Sequence, residues 1–162
     1  MQKPIFKPQT EWLPPTDFPD LGKYDEIAVD LETKDPNLNK RMGSGSVVKV
    51  GDVVGISLAT QDWCAYYPIA HEGGGNMDRK MVLKWLQDQM NYESTKIFHN
   101  AMYDICWLRS IGINVKGKIV DTMIASALVN ENRLRFDLNG LSRDYLGKGK
   151  DETQLYEAAK SW

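Results

Sequence analysis

Residues 27–33 are Ile-Ala-Val-Asp-Leu-Glu-Thr, and the expected fold is built around this stretch. Its aliphatic and β-branched residues are typical of a buried strand. Asp30 and Glu32 lie two positions apart near its end, where the alternation of side chains directs both carboxylates to one face. Because two such charges repel each other unless a cation lies between them, the pair indicates a site for a hard divalent ion. The alternative is a solvated strand end that caps a helix.

The composition indicates one soluble globular domain. The 162 residues are 42% hydrophobic and 26% charged, and no apolar run approaches the roughly 20 residues that span a bilayer. The start, MQKPIFKPQT, lacks the apolar core of a secretory signal, so we expect a cytoplasmic protein. Two cysteines outside a C-x-x-C and two histidines outside an H-E-x-x-H argue against a disulfide framework and a zinc site.

The formal net charge of -2 does not favour binding to nucleic acid through bulk electrostatics. A site that handles phosphate can instead draw its positive charge from bound metal ions. Net charge therefore excludes neither a protein that binds nucleic acid nor one that does not.

Residues 1–23 are predicted to form a proline-rich leader, followed by one domain over residues 24–162. The leader contains five prolines and is expected to be extended, lying on the domain or linking it to another segment. Four apolar residues are candidates to dock it onto the core: Trp12, Leu13, Phe18 and Leu21.

The rest of the pattern predicts an α/β domain with a central mixed β-sheet flanked by helices. Strands are expected at residues 53–59 and 63–69 as a hairpin, and at 96–100 and 118–120; helices are expected at 77–90, 101–111, 121–129 and 137–146. Residues 34–46 are expected to form a long loop beside the acids. The three glycines at 73–75 are not followed by G-K-[ST], which favours a flexible turn over a phosphate loop.

Asp104 is the third candidate metal ligand, at a predicted junction between strand and helix. A carboxylate one turn into that helix can face back over the sheet edge toward Asp30 and Glu32. Three convergent acids suit two divalent ions about 3.5–4 Å apart, the arrangement that clamps the attacking and leaving oxygens of an in-line phosphoryl displacement. Alternatively, Asp104 is an exposed first-turn acid that complements the helix dipole.

These residues resemble the exonuclease domain with the D-E-D-D acids that is fused to family A DNA polymerases. Residues 30–33 (DLET) resemble its first motif, and residues 100–104 (NAMYD) resemble its second, N-x-x-[FY]-D. The resemblance covers about residues 24–147, and the leader followed by D-L-E-T-x-D-P is similar to phage-type polymerases. Further similar stretches occur in the family's order: residues 54–59 (VGISLA), 67–71 (YPIAH) and 121–126 (DTMIAS).

The resemblance implies a ribonuclease H-like fold and a proofreading 3′–5′ exonuclease that hydrolyses the terminal phosphodiester at a single-stranded DNA 3′ end. It implies that Asp30, Glu32 and Asp104 are catalytic and ligate two Mg²⁺ or Mn²⁺ ions. It further implies a polymerase module in the full-length protein and a location in the bacterial cytosol, phage-encoded or not. Four positions would contact the substrate strand: Leu31, Thr33, Asn100 and Tyr103.

The sequence departs from the family in its third motif, Y-x-x-x-D. Tyr145 is followed four residues later by Gly149, and Tyr156 by Lys160. We therefore expect a C-terminally incomplete exonuclease domain. Its turnover should be about 10²–10⁴ lower than that of a complete domain, because one metal ligand and the tyrosine that orients the attacking water are absent.

Several alternatives remain at this point. Residues 99–104 also fit H-x-x-x-x-D, the third motif of the family's histidine variant, and Asp121 is a further acid at a strand-to-helix junction, where an N-cap is the favoured role. A ribonuclease D-like RNA exonuclease would use the same acids. A non-catalytic module that binds single strands or a partner is the remaining functional alternative.

Overall fold

Strand β1 (Glu26–Lys34) is the centre of a five-stranded mixed sheet with the order β3-β2-β1-β4-β5. The structure is a computed structural model that describes residues 12–38, 40, 43–72 and 74–151. The β2–β3 hairpin pairs with β1 in antiparallel fashion, whereas β4 runs parallel to β1 on its other side. The predicted α/β fold class with a mixed sheet is therefore confirmed. The other strands are β2 (Asp52–Ala59), β3 (Cys64–Pro68), β4 (Thr95–Phe98) and β5 (Ile119–Asp121).

Four of the five helices in the described residues lie where the sequence predicted them. These are α2 (Arg79–Met90), α3 (Ala101–Ser110), α4 (Thr122–Val129) and α5 (Leu138–Leu146). The four-residue helix α1 (Gly45–Val48) was not predicted and lies at the end of the expected loop, where the Ser44 hydroxyl accepts a hydrogen bond from the Ser46 N–H. None of the helices in the described part of the chain combines the length and apolarity that a bilayer-crossing segment requires.

The two faces of β1 have opposite characters. Ile27, Val29 and Leu31 are buried in the main core cluster, together with residues of α2 at helical spacing, among them Val82, Leu86 and Met90. The alternate positions, Asp30 and Glu32, are exposed. The period-2 pattern of the sequence therefore corresponds to one core face and one carboxylate face.

Part of the predicted leader packs on the same core. Phe18 stacks on Tyr67 with ring centroids 5.7 Å apart, and Leu21 is 1% exposed. Leu13, which was also predicted to dock, is 81% exposed and does not pack into the core. Residues 1–11 lie outside the described residues, as do Tyr156 and Lys160 of the motif comparison.

The chain divides into two compact units, and the boundary falls between Val120 and Asp121. In the second unit, the Asp137 carboxylate caps α5 by accepting a hydrogen bond from the Gly140 N–H at 2.9 Å. Gly147 ends α5 with a φ of 67°, a left-handed conformation that glycine adopts without strain. Both ends of this helix therefore follow from its sequence signals.

Lys96 is a buried cation on β4, in the first unit. Its side chain is fully buried, and Nζ donates hydrogen bonds to the carbonyls of Tyr92 (2.7 Å), Ser94 (3.0 Å) and Lys116 (3.1 Å). Burial lowers the pKa of Lys96, an effect that the Glu93 carboxylate partly opposes. The ammonium joins the segment before β4 to the segment before β5.

Replacing Lys96 by methionine tests this role. The Lys96→Met variant keeps much of the side-chain volume but leaves three carbonyls without their donor, so the free energy of unfolding should fall by about 3 kcal/mol. Urea denaturation measures this value. The matched control is Lys84→Met, which removes an exposed lysine of α2 and should change stability little. Equal denaturation midpoints for the two variants would contradict a structural role for the buried ammonium.

Candidate active site

The carboxylate face of β1 extends across its neighbouring strands. Asp30 pairs in register with Ser57, and Glu32 pairs with Gly55. Paired residues on adjacent strands project to the same side of a sheet, so the two acids lie beside small side chains on β2. The space over Gly55 is occupied by the ring of Tyr66, which reaches it from β3.

Asp104 approaches β1 from the other side. The parallel pairing of β4 with β1 reaches only to Ala28, opposite Ile97, so the edge of β1 beyond that point is not paired with a strand. Helix α3 begins there, and Asp104 Oδ1 accepts a hydrogen bond from the Leu31 N–H at 3.2 Å. Asp104 is 4% exposed, so it is not the exposed first-turn acid of the alternative interpretation. Its carboxylate lies against the peptide that joins Asp30 to Glu32.

The donor chemistry of these acids fits hard divalent ions. Three carboxylates on two adjacent elements are the oxygen ligands that Mg²⁺ and Mn²⁺ prefer. Within the part of the chain that the structure describes, however, no group of three or more His, Cys, Asp or Glu side chains is placed to hold a metal ion. The ligand set of Asp30, Glu32 and Asp104 therefore stays a prediction, supported by the contact between Asp104 and the β1 backbone.

The pairing of β1 with β2 shifts register immediately after the acids. Glu32 is opposite Gly55, but Thr33 is opposite Val53, so Val54 is left out of the ladder. Such bulges turn the side chains that follow them. Thr33 Oγ1 shares a hydrogen bond of 2.6 Å with the Tyr103 hydroxyl, which ties the end of β1 to α3 beside the acids.

The other two predicted substrate positions differ in their placement. Asn100 is exposed and has a φ of 67°, and its side chain makes no capping hydrogen bond to α3. A non-glycine residue with this backbone is uncommon, and such residues concentrate at functional sites. Leu31, in contrast, is 7% exposed and belongs to the core cluster. Its side chain faces away from the acids, so only its backbone reaches the candidate site.

Tyr66 and His71 also adjoin the site, and neither was assigned a role from the sequence. Tyr66 lies across Gly55, where an added methyl group would overlap the phenol, and its hydroxyl shares a hydrogen bond with His71 Nε2. Burial, with a smaller contribution from the Glu32 charge, raises the pKa of Tyr66 to about 12, so the phenol stays neutral near pH 7. The alternation of β3 could have placed Tyr66 on this face, but only if its pairing with β2 had been known.

Asp121, the other acid weighed from the sequence, is a helix cap. Its Oδ1 accepts hydrogen bonds from the N–H groups of Met123 (2.9 Å) and Ile124 (3.4 Å) at the start of α4. The N-cap prediction is confirmed.

The five-stranded mixed sheet and its helices form a ribonuclease H-like fold. The structure is similar to Brucella melitensis NrnC with bound Mg²⁺, with a TM-score of 0.57 and 20% identity over 82% of this chain and 58% of that one. It is also similar to Escherichia coli RNase D, an exoribonuclease, with a TM-score of 0.58 and 16% identity over 82% and 30% of the two chains. At these identities, the likeness shows the fold alone.

The chain belongs to the 3′–5′ exonuclease family, whose sequence model matches residues 18–161. It is 31% identical to the DNA-directed DNA polymerase of Pseudomonas phage M6 over 98% of this chain and 25% of that protein. DNA polymerase I of Pseudomonas aeruginosa is 34% identical over 59% of this chain and 11% of that protein. The chain thus corresponds to the exonuclease domain of DNA polymerase I-like enzymes and spans a quarter or less of the length of these relatives.

The bond between Thr33 and Tyr103 can be measured by a double-mutant cycle. Thr33→Val and Tyr103→Phe each remove one hydroxyl, and together they should give a coupling energy of about 1 kcal/mol, because either single change already breaks the bond. Denaturation of the four proteins gives this energy. A second cycle that pairs Tyr103→Phe with Thr95→Val should be additive, since Thr95 lies on β4 away from Tyr103. Additivity in both cycles would show that the bond contributes nothing.

Proposed function

We propose that this chain is a proofreading domain that removes nucleotides from the 3′ end of a single DNA strand by metal-dependent hydrolysis. The observation that carries the proposal is the hydrogen bond from the Leu31 N–H to Asp104, which ties a third carboxylate to the backbone of the strand that carries Asp30 and Glu32. The polymerase relatives support DNA as the substrate, since they match this chain over its exonuclease region.

Asp30, Glu32 and Asp104 would hold two Mg²⁺ or Mn²⁺ ions. Bound there, such ions supply a hydroxide nucleophile near neutral pH and stabilise the 3′ oxygen that leaves. The protein's own contribution is to fix the ligands. Asp30 and Glu32 are set by the central strand, and Asp104 is oriented by its hydrogen bond to that strand's backbone.

The strand end would bind beside these acids. Asn100 projects from an exposed turn at the start of α3, and Tyr103 follows one helical turn later with its hydroxyl bonded to Thr33. Because this bond joins β1 to α3, it keeps the two walls of the site at a constant separation. The Leu31 side chain is in the core, so its part is to present the backbone N–H that orients Asp104.

An RNA substrate is the second candidate. The fold is shared with RNase D, which is an exoribonuclease, and the same acids would serve either nucleic acid. DNA is favoured because the relatives at 30% identity or more are DNA polymerases. By the same relatives, we propose that the full-length protein carries a polymerase module and acts in the cytoplasm.

Substitution of the acids tests the catalytic assignment. Asp30→Asn, Glu32→Gln and Asp104→Asn keep the shape of each side chain but weaken its hold on a cation, so each should lower mononucleotide release by about 10²-fold or more. Release is followed from a 5′-labelled single-stranded DNA oligonucleotide, and from its RNA counterpart, with Mn²⁺ or Mg²⁺. Faster release from the RNA strand would favour the second candidate.

The matched control for these variants is Asp88→Asn. Asp88 is an exposed acid on α2 and should leave the rate of release unchanged. Digestion that persists in all three site variants would refute the catalytic assignment. A change in strand affinity without hydrolysis in any variant would support a binding module instead.

Metal binding can be tested without turnover. A ligand that binds only the folded state stabilises it, so saturating Mn²⁺ should raise the melting temperature of the unmodified chain by about 5 °C. The Asp30→Asn and Asp104→Asn variants should show little change on the same addition, whereas Asp88→Asn should respond fully. An equal rise in all four proteins would place the ion elsewhere.

A further inference from the structure

Three ring side chains form a continuous group at the β3 edge of the sheet, which we call the aromatic edge: Trp12, Tyr66 and His71. The Tyr66 ring centroid is 6.0 Å from that of Trp12, with a 49° angle between the planes, and 5.9 Å from that of His71, with a 61° angle. Trp12 is 50% exposed, which is high for a large aromatic side chain. Trp12 is therefore the accessible ring of this group, and Tyr66 and His71 are half-buried beside it.

The aromatic edge adjoins the candidate active site. Asp30, Ser57 and Tyr66 occupy one row of paired positions across β1, β2 and β3, and so project to the same face. Two strand spacings separate Asp30 from Tyr66, which is about 10 Å. A short single strand whose terminal phosphodiester lies at the acids can bridge that span.

Tyr66 and His71 are held in place before any ligand binds. The absence of a side chain at Gly55 lets the Tyr66 ring lie on the sheet toward Glu32. His71, which shares a hydrogen bond with Tyr66, is itself fixed by Asn76: the His71 N–H donates to Oδ1 at 2.7 Å and Nδ2 donates to the His71 carbonyl at 2.8 Å. Such fixed rings lose little entropy on binding.

The charge of the site explains how the aromatic edge would contribute to binding a strand. The chain has a net charge of -2, so the positive charge that meets a strand's phosphates at the carboxylates would come from bound metal ions. Contacts that do not depend on charge would add affinity away from those ions. Stacking of bases on aromatic rings is such a contact, and it tolerates any sequence because every base has a π-face.

We propose that the aromatic edge stacks a nucleobase of the single strand whose terminal phosphodiester lies at Asp30, Glu32 and Asp104. This inference rests on the proposed nuclease function and adds to it the place where a base is held. Trp12 supplies the accessible ring, and Tyr66 and His71 support it from the sheet. None of the three takes part in the chemistry, so they are binding residues.

The test compares the affinities of two oligonucleotides for Trp12 variants. One is a fluorescently labelled oligothymidylate, and the other is the same oligonucleotide with abasic sugars at its last three 3′ positions. Fluorescence anisotropy is measured with Mg²⁺ in proteins that also carry Asp104→Asn, so that hydrolysis does not remove the ligand. Trp12→Ala should weaken binding of the oligothymidylate about tenfold and leave binding of the abasic oligonucleotide unchanged.

Two further variants make the result specific. Trp12→Phe keeps an aromatic face and should recover most of the lost affinity, whereas Leu13→Ala removes the adjacent exposed apolar residue and should have no effect. The proposal is overturned if Trp12→Ala binds the oligothymidylate as tightly as its parent, or if it loses equal affinity for both oligonucleotides. Failure of the parent protein to bind either oligonucleotide also overturns it.

These outcomes are independent of the catalytic test. Loss of base-dependent binding in Trp12→Ala with no mononucleotide release by the unmodified chain would refute the nuclease and retain the stacking site. Mononucleotide release that disappears in the acid variants, with no base-dependent difference in Trp12→Ala, would support the nuclease and refute the stacking site.

Discussion

Together with the bond between Thr33 and Tyr103, the hydrogen bond from the Leu31 N–H to Asp104 joins the two sequence segments that make the candidate site. It spans 73 positions of the chain and exists because β4 stops pairing with β1 at Ala28. Beyond that residue, the N–H groups at this edge of β1 have no neighbouring strand to accept their hydrogen bonds. A buried N–H without an acceptor lowers the stability of the fold. The side chain of Asp104 is the acceptor at Leu31. The backbone of the central strand thus determines where the third carboxylate lies.

The alternation of side chains along β1 also places its core residues on one face and its acids on the other. Leu31 is in the core, while Asp30 and Glu32 on either side of it are exposed. A one-residue slip in the register of β1 would exchange these faces, burying both acids and exposing three apolar side chains. The antiparallel pairing with β2 along nearly the whole of β1 opposes such a slip, and the bulge opposite Thr33 fixes the position at which the regular ladder ends.

The sequence was sufficient for the features that arise from local pattern. The alternation at residues 27–33 predicted the strand and the common face of its acids. The strand-to-helix junction predicted that Asp104 would turn back toward β1, where the structure shows its contact with the Leu31 N–H. The four-residue helix α1 escaped prediction because one turn shows no periodicity. The role of Tyr66 depends on how three strands pair, and the burial of Lys96 depends on carbonyls from two separate segments. Neither is encoded within a short window of sequence.

The hydrogen bonds of Lys96 also affect how the stability of the domain depends on redox conditions. Tyr92 and Lys116 are 24 positions apart, and one ammonium group draws both of their carbonyls to the same point. A covalent bridge between cysteines would serve the same purpose only in an oxidising environment. Here Cys64 and Cys106 are both free thiols. The lysine therefore acts as a cross-link that neither reductant nor oxidant can open.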